Sequence, residues 1–228
     1  MNNSLILVNE EDEEIGYCEK MDAHRKEYLH RAFSLFIYHK TDHKMLLHKR
    51  ALGKYHSGGL WTNSCCSHPR YGENLMDAVI RRTKEELGLD ISSYADELKE
   101  VGRFHYYKKY STCAENEIDH VFLLTMEKQP ILDVEPDEIA EVQWESIDAI
   151  AKELGKNPDR FTAWFPQAFE LVVSSLKQDA VYKEVVTILK NLNFCWENFL
   201  NGDIDNKHNL RREKPNRWIL VERRYCCI

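Results

Sequence analysis

The sequence predicts a mixed α/β (α+β) fold: a mixed sheet sandwiched by helices, with extra N-terminal strands and a C-terminal helical extension. The predicted elements run as strands, a central helix, more strands and then helices, which fits a sandwich better than regular βαβ repetition. The 228 residues correspond to about one domain plus an addition. Forty-three per cent apolar and 11% aromatic residues suffice for a hydrophobic core.

The first third of the chain contains four strand patterns and one loop. Short apolar runs bounded by turn residues are typical of strands, and two such runs joined by a short polar segment indicate a hairpin. A segment with three glycines and no period indicates a loop. The predicted strands are Ser4–Val8, Glu14–Tyr17, Ala32–His39 and Lys44–Lys49, the last two forming a hairpin, and the predicted loop is Arg50–Asn63.

The middle of the chain contains the strongest helix pattern. Apolar residues of Asn74–Leu87 recur along one stripe, and Gly88 directly after them is typical of a helix end. Two more strands and two more helices follow. They are predicted at Val101–Tyr107, Ile118–Met126, Ser146–Leu154 and Thr162–Gln178.

The character of the sequence changes near residue 178. We therefore expect one domain at residues 1–178 and an extension of unknown role at residues 179–228. Asp179–Leu200 has the pattern of a further amphipathic helix, and Trp218–Tyr225 that of a strand. A dimer contact, a lid and a plain surface extension all remain open.

Charge and composition restrict the partners. Thirty-one basic against 38 acidic residues give a net charge of −7, which argues against a generally basic nucleic-acid binder. No apolar run approaches the roughly 18 residues of a membrane span, and the first residues lack the basic region of a signal peptide. Seven cysteines without an export signal indicate free thiols in a reducing cytoplasm. We expect a cytoplasmic protein, monomeric or homodimeric, that binds neither nucleic acid nor membrane.

Three groups of residues are candidates for metal or proton chemistry. In WTNSCCSHPRYGE, Cys65 or Cys66 beside His68 is a candidate nucleophile, proton carrier or metal ligand, or else part of a buried pair. Upstream lie two histidines six residues apart. Two glutamates two positions apart downstream point to the same side if they lie on a strand. The two histidines are His24 and His30, and the two glutamates are Glu115 and Glu117. Histidines and carboxylates together suit Zn, Mn or Fe.

Two further groups are charged. The helix after Glu73 ends with Glu85 and Glu86, where the helix dipole disfavours acids. Either these acids form part of a salt-bridged surface, or they help to bind a dication such as Mg²⁺. The second group is basic and is suited to a phosphorylated ligand. Its members are Lys20, Arg50, Lys54 and Arg82.

The combination of these motifs resembles type 1 isopentenyl-diphosphate isomerase over about residues 3–177. The resemblance rests on His30-Arg-Ala-Phe, Arg50-Ala-Leu-Gly-Lys54, Gly59-Leu-Trp-Thr-Asn-Ser-Cys-Cys-Ser-His-Pro69 and Glu115-Asn-Glu117. It implies the Nudix fold, with an altered Nudix signature. Ser67 stands where the signature begins with Gly, and Arg82 replaces an acid with which hydrolytic relatives hold their metal. The resemblance therefore implies isomerisation rather than diphosphate hydrolysis.

The resemblance also implies a role for each candidate. The substrate would be isopentenyl diphosphate, converted to dimethylallyl diphosphate by a 1,3 proton shift, with Mg²⁺ on the diphosphate and a second divalent ion, Mn²⁺ or Zn²⁺. The implied catalytic residues are Cys66, Glu117, Tyr106 and Trp164. The implied substrate contacts are Lys20, Arg50, Lys54 and Arg82. The implied metal ligands are His24, His30, His68, Glu115 and Glu117 for the second ion and Glu86 for Mg²⁺.

Two other classes of protein remain as alternatives. A Nudix hydrolase of a nucleoside diphosphate derivative shares the fold, and the altered signature is the observation against it. A non-enzymatic zinc-binding module would use the same cysteines and histidines, but the spacing lacks the paired Cys-x-x-Cys of most such sites.

Overall fold

A computed structural model describes residues 4–191, and side chains up to residue 180. It contains nine strands, four α-helices and two short 3-10 turns in this part of the chain. The strands are β1 (Ser4–Val8), β2 (Glu14–Glu19), β3 (His30–His39), β4 (Lys44–Arg50), β5 (Trp61–Thr62), β6 (Cys65–Ser67), β7 (Lys99–Lys109), β8 (Ala114–Met126) and β9 (Ile139–Ser146). The helices are α1 (Lys20–Arg25), α2 (Leu75–Leu87), α3 (Ile147–Lys156) and α4 (Phe165–Asn191).

The strands form one mixed sheet around β3. β3 pairs in parallel with β8 along its whole length, and antiparallel with β1, β4 and β6 at different points. β7 pairs with β8, and β9 pairs with β4, both antiparallel. The starts of β3 and β8 therefore lie side by side, with β6 close by.

Helices cover both faces of the sheet, as the sequence predicts. Phe33, Leu35 and Ile37 of β3 pack with the buried side of α2 in one core cluster. Phe36 of the same strand packs in a second cluster with residues of α3 and α4, among them Phe165. Because both faces are covered, nearly every residue of β3 is buried, and Ser34 alone interrupts the apolar residues between Ala32 and Tyr38.

The ends of α2 are fixed by local chemistry. The Asn74 side chain accepts a hydrogen bond from the Met76 backbone N–H at 2.9 Å, which caps the first turn. The helix ends at Gly88, whose φ of +64° lies in the left-handed region. A Cβ atom at Gly88 would lie 2.5 Å from the Asp133 carbonyl oxygen, so only glycine fits there.

The structure corrects several predicted boundaries. The predicted loop Arg50–Asn63 contains β5, which pairs with β4. Strand β9 and helix α1 were not predicted, because β9 is only partly buried and α1 is a six-residue turn of helix. The helix predicted from Thr162 begins at Phe165, since the Thr162 backbone N–H bonds to the Trp61 carbonyl and keeps the chain extended.

The C-terminal region differs most from the prediction. The two helices predicted at Thr162–Gln178 and Asp179–Leu200 form one helix, α4, as far as Asn191. Contacts separate the residues up to 179 from those that follow. The predicted strand Trp218–Tyr225 lies outside the described residues, and the domain boundary at residue 178 stays a prediction. Within residues 4–191, no helix is long and apolar enough to span a membrane.

Candidate active site

Five histidines and glutamates converge where β3 and β8 begin. His30 opens β3 and stands directly beside Glu117 of β8 in the parallel register. Glu115 precedes Glu117 by two positions on the same side of β8. His24 comes from α1, and His68 follows β6. One nitrogen or oxygen from each residue lies within 4.8 Å of those from the other four. We call these five residues the His/Glu cluster.

Backbone contacts orient two of the histidine rings. Nδ1 of His24 lies 2.6 Å from the Lys20 carbonyl oxygen, and Nδ1 of His30 lies 2.7 Å from that of Tyr28. A carbonyl only accepts, so Nδ1 is the protonated nitrogen in both rings and Nε2 faces the carboxylates. This arrangement, with one ring nitrogen donating to a carbonyl and the other free for a ligand, is typical of metal-binding histidines.

The donor set fits a divalent metal. Within residues 4–180, the buried Oε1 of Glu115 has no aligned hydrogen-bond partner, although His24 Nε2 lies 3.3 Å away. Burial, and then the positive charge of Lys20, hold the pKa of His68 well below its usual range. Neutral imidazole is the form that binds metals. Three imidazoles and two carboxylates could hold Mn²⁺, Zn²⁺ or Fe²⁺.

Glu117 links the cluster to Tyr106. The Tyr106 hydroxyl donates to Oε2 of Glu117 at 2.5 Å, while His30 and His68 contact Oε1 at 3.2 and 2.7 Å. Burial alone would raise the pKa of Glu117, but its hydrogen bonds, including those from His30 and Tyr106, hold it below its usual range. Burial, and then the charge of Glu117, raises the pKa of Tyr106 well above its usual range. The pair is therefore a carboxylate and a neutral phenol.

Cys66 lines the same cavity, whereas Cys65 does not. Cys66 stands beside Ser34 in the β3–β6 register, and Arg50 Nη1 lies 3.7 Å from its sulfur. Burial raises the pKa of Cys66 to about 12, even though the charge of Arg50 opposes that rise. Its sulfur therefore bears a proton at neutral pH. The side chain of Cys65 packs in the core against α2.

The Trp-Thr-Asn motif positions Trp164. The indole Nε1 of Trp164 donates to Oδ1 of Asn63 at 3.1 Å, and the Thr62 and Thr162 hydroxyls lie 2.9 Å apart. The Trp164 ring lies 6.0 Å from the Tyr106 ring, centre to centre, and 5.5 Å from the Arg50 guanidinium. Trp164 is thus held as one wall of the cavity that Cys66 and Tyr106 also line.

The four predicted cations line the same cavity, with Arg50 next to Cys66 and Trp164. Lys54 Nζ lies 2.5 Å from a Glu138 oxygen, and Arg82 contacts both Glu86 and Glu138. Burial and the nearby Lys54 charge lower the pKa of Lys20. Burial raises the pKa of Glu86, although the charge of Arg82 opposes it. An array of buried and half-buried cations beside two carboxylates can bind a diphosphate together with a small dication.

Every site residue predicted from the sequence therefore lies in the His/Glu cluster or in the cavity beside it. The structure adds residues that the sequence analysis missed. Asp119 could have been found, since it continues the two-residue alternation from Glu115 and Glu117. Burial, and then the Glu117 charge, raises its pKa well above its usual range. The others had no local signal: Ser34, Tyr55, His56 and Glu138 also line the cavity.

Comparison with known proteins identifies the fold family. Residues 28–165 match the NUDIX domain. DR0079 from Deinococcus radiodurans has a similar fold, with a TM-score of 0.55 and 21% identity over 68% of this chain and 90% of that one. The MutT protein from Methanosarcina mazei Go1 gives 0.51 and 19% over 65% and 96%. The chain belongs to the NUDIX family. Within that family it belongs with the isopentenyl-diphosphate Delta-isomerases described next.

Those relatives are all isopentenyl-diphosphate Delta-isomerases. One from Photorhabdus laumondii is 42% identical over 72% of this chain and 89% of its own. Isopentenyl-diphosphate Delta-isomerase 2 of Aromatoleum aromaticum is 39% identical over 76% and 88%. The Aliivibrio fischeri MJ11 protein is 39% identical over 78% and 99%. These matches confirm the resemblance inferred from the sequence motifs.

Proposed function

We propose that this protein interconverts isopentenyl diphosphate and dimethylallyl diphosphate, an isomerisation in isoprenoid precursor synthesis. One observation supports this above all. A neutral thiol, Cys66, and a hydrogen-bonded phenol–carboxylate pair, Tyr106 and Glu117, line one cavity that also contains the four cations. The first two features can move protons, and the cations can anchor a diphosphate.

The reaction requires two proton carriers. One proton adds to the terminal alkene carbon, and another leaves the carbon next to the CH₂–O group, so the double bond shifts by one position. An alkene is a very weak base, so the acid must be held close to it. We assign Cys66 to one face of the alkene and Tyr106 with Glu117 to the other.

Exclusion of water protects the intermediate, which resembles a tertiary carbocation. Trp164 and Tyr106 are buried and present aromatic rings at the reacting end of the cavity. A ring face stabilises a cation by up to ~2 kcal/mol once both are desolvated. Trp164 therefore has two roles in the proposal: it stabilises positive charge and it keeps the cavity dry.

The diphosphate takes no part in bond breaking and serves as an anchor. Lys20, Arg50, Lys54 and Arg82 would contact it, with Glu86 holding the Mg²⁺ that accompanies it. The cations neutralise charge and fix the distance from the phosphates to the reacting carbons. Lys54 and Arg82 contact Glu138 here, so the incoming diphosphate must take over part of those contacts.

The His/Glu cluster would hold the second divalent ion, Mn²⁺ or Zn²⁺. A dication bound there would supply positive charge beside Glu117 and favour proton release from its side of the cavity. The chain itself contributes the hydrogen bond from Tyr106 to Glu117, which keeps the phenol proton pointed at the Glu117 carboxylate.

NMR with isopentenyl diphosphate, Mg²⁺ and deuterated water tests the function. We expect dimethylallyl diphosphate with solvent deuterium in the new methyl group. Release of phosphate without isomerisation would favour a Nudix hydrolase. Arg82 is the observation against that alternative, because it replaces an acid with which hydrolytic relatives hold their metal. Tight zinc binding with neither diphosphate binding nor turnover would favour a zinc-binding module.

We also propose where the enzyme works and in what oligomeric state. A small diphosphate substrate, free thiols and a net charge of −7 fit a cytoplasmic enzyme, monomeric or homodimeric. Sedimentation of the full chain distinguishes monomer from homodimer.

A further inference from the structure

One buried histidine contacts the His/Glu cluster without belonging to it. His56 is 7% exposed and lies in the loop between β4 and β5. Its Nε2 contacts Oε1 of Glu115 within ion-pair distance. Its atoms are not among the five ligand atoms that lie within 4.8 Å of one another. His56 is therefore a neighbour of one cluster carboxylate.

The hydrogen bonds around His56 define its tautomer. The Glu115 carboxylate only accepts, so the His56 proton belongs on Nε2. Nδ1 is then an acceptor for the Ser57 hydroxyl, 3.1 Å away, and Ser57 Oγ lies 3.0 Å from the Tyr110 hydroxyl. Donors then follow one direction, from Tyr110 through Ser57 to His56, whose Nε2–H faces Glu115.

The loop is built to hold the ring in this place. The His56 ring stacks on Tyr110 with centres 4.7 Å apart, and Arg50 Nη2 lies 3.5 Å from the His56 carbonyl oxygen. Ser57 has a φ of +53°, a conformation that residues other than glycine rarely adopt. A Cβ on Gly58 would lie 2.7 Å from the Leu52 carbonyl oxygen, so the loop can close this tightly only with glycine.

We propose that His56 is a positioning residue that holds Glu115 in place for a metal ion in the His/Glu cluster. This inference rests on the metal site of the proposed function. His56 Nε2 approaches Oε1 of Glu115 from one side, and a carboxylate oxygen has two lone pairs, so one lone pair remains for a ligand. His24, the other neighbour of that oxygen, is itself in the predicted ligand set, whereas the His56 contact can persist in the metal-bound protein.

The test is metal affinity in three variants of the full chain. Zn²⁺ affinity is measured by competition with a chelating dye, and Co²⁺ is used as a visible-absorption probe of the ligand set. His56→Phe keeps the aromatic stack but removes both ring nitrogens, and we expect about 10- to 100-fold weaker binding. His56→Gln retains an N–H donor and should recover most of that loss. Tyr110→Phe removes only the end of the chain of donors and should give a smaller loss than His56→Phe.

The Co²⁺ spectrum and a matched control separate positioning from other roles. In saturated His56→Phe the spectrum should keep the wild-type form, because no ligand is lost. His39→Phe is the control: His39 is also buried but contacts the Glu127 carbonyl at the far end of β3 from His30, and its metal affinity should equal that of the wild type. Thermal melting of the metal-free variants separates a folding defect from a metal-binding defect.

Three results would overturn the inference. Wild-type metal affinity in His56→Phe would remove any positioning role. Equal losses in His56→Gln and His56→Phe, with a changed Co²⁺ spectrum, would make His56 a ligand instead. A wild-type protein that binds neither Co²⁺ nor Zn²⁺ would overturn this inference and the proposed metal site together, whereas the first two results leave the proposed site intact.

Discussion

Two adjacent cysteines show how position in a strand decides chemistry. Successive residues of a strand point to opposite faces, so β6 directs Cys65 into the core and Cys66 into the cavity. Cys65 is buried and Cys66 half-buried, and desolvation raises the pKa of both thiols, but only Cys66 lies beside the Arg50 guanidinium. Cys66 is therefore suited to deliver or accept a proton, and Cys65 to fill space.

Cys66→Ala should abolish most turnover and leave diphosphate binding intact. Loss of a proton carrier lowers kcat by about 10²- to 10⁴-fold, while the four basic side chains themselves are unchanged. The measurements are the isomerisation rate and calorimetric titration with inorganic diphosphate and Mg²⁺. Cys65→Ala is the matched control and should keep a near wild-type kcat. A Cys66→Ala enzyme as fast as Cys65→Ala would exclude Cys66 from proton transfer.

Much of the site could be predicted at the residue scale because its chemistry is concentrated in short motifs. Glu-Asn-Glu lies on β8, whose alternation brings both carboxylates to one face, and the Cys-x-His pair lies on β6 and the residue directly after it. His56 and Glu138 lacked such a signal. The Glu115 contact of His56 and the Lys54 contact of Glu138 join residues far apart in sequence, and only the folded sheet brings them together.

At the scale of elements, β4 contains a buried neutral histidine that ties it to the β5–β6 segment. His48 is 2% exposed, and its Nδ1 lies 3.0 Å from the Ser64 carbonyl oxygen. Burial lowers the pKa of His48 to about 4, although the hydrogen bond with Ser64 opposes the shift. In the unfolded chain the pKa returns to about 6.5.

This shift predicts acid sensitivity between pH 6.5 and 4. The unfolded chain takes up the His48 proton first, so the stabilisation is complete above pH 6.5 and is lost as the pH falls towards 4. Between pH 7 and 5, His48 alone should cost about 2 kcal/mol of unfolding free energy. Urea unfolding of metal-free protein at both pH values measures it. His48→Gln should lose that share of the pH dependence, and the exposed-site control His105→Gln should not. Equal slopes for His48→Gln and the wild type would contradict the assignment.

The end of α2 makes a second prediction at this scale. Gly88→Ala should destabilise the protein by about 2 kcal/mol or more, because a left-handed φ alone costs an L-residue roughly 1–2 kcal/mol and its Cβ would meet Asp133. Gly155→Ala in α3 is the control: nothing lies within 4 Å of its Cβ, so it should stabilise by about 0.5–1 kcal/mol. Denaturant unfolding compares the two. Equal effects would show that Gly88 has no special role.

Elements with a strong period were predictable, and those set by tertiary contacts were not. The apolar stripe of α2 and the run of buried residues in β3 can be recognised from the sequence alone. Strand β9 is an edge strand with few buried residues, so its sequence lacks a clear strand pattern. Its pairing with β4, from Lys44 to Arg50, is visible only in the folded sheet. The six-residue α1 is likewise too short to show a helical period.

At the scale of the whole molecule, the His/Glu cluster joins elements that are distant in the sequence. Its members come from α1, β3, β8 and the residue after β6. Two carboxylates and three imidazoles so close together are held in place by the fold around them. A cation among them would therefore act as a cross-link between the first part of the chain and β8.

Metal should accordingly raise the stability of the whole domain. At about 100 times its dissociation constant, a ligand that binds only the folded state adds ~2.7 kcal/mol, which corresponds to a Tm increase of about 5 to 10 °C for a chain of this size. Differential scanning fluorimetry of chelator-treated protein, with and without added Zn²⁺ or Mn²⁺, measures the shift. Glu115→Gln removes one ligand and should lose most of it, while Glu141→Gln, an exposed carboxylate on β9, should keep it in full. The same Tm with and without metal, at concentrations that saturate binding by dialysis, would place the ion outside the folded cluster, because binding confined to the folded state must stabilise it.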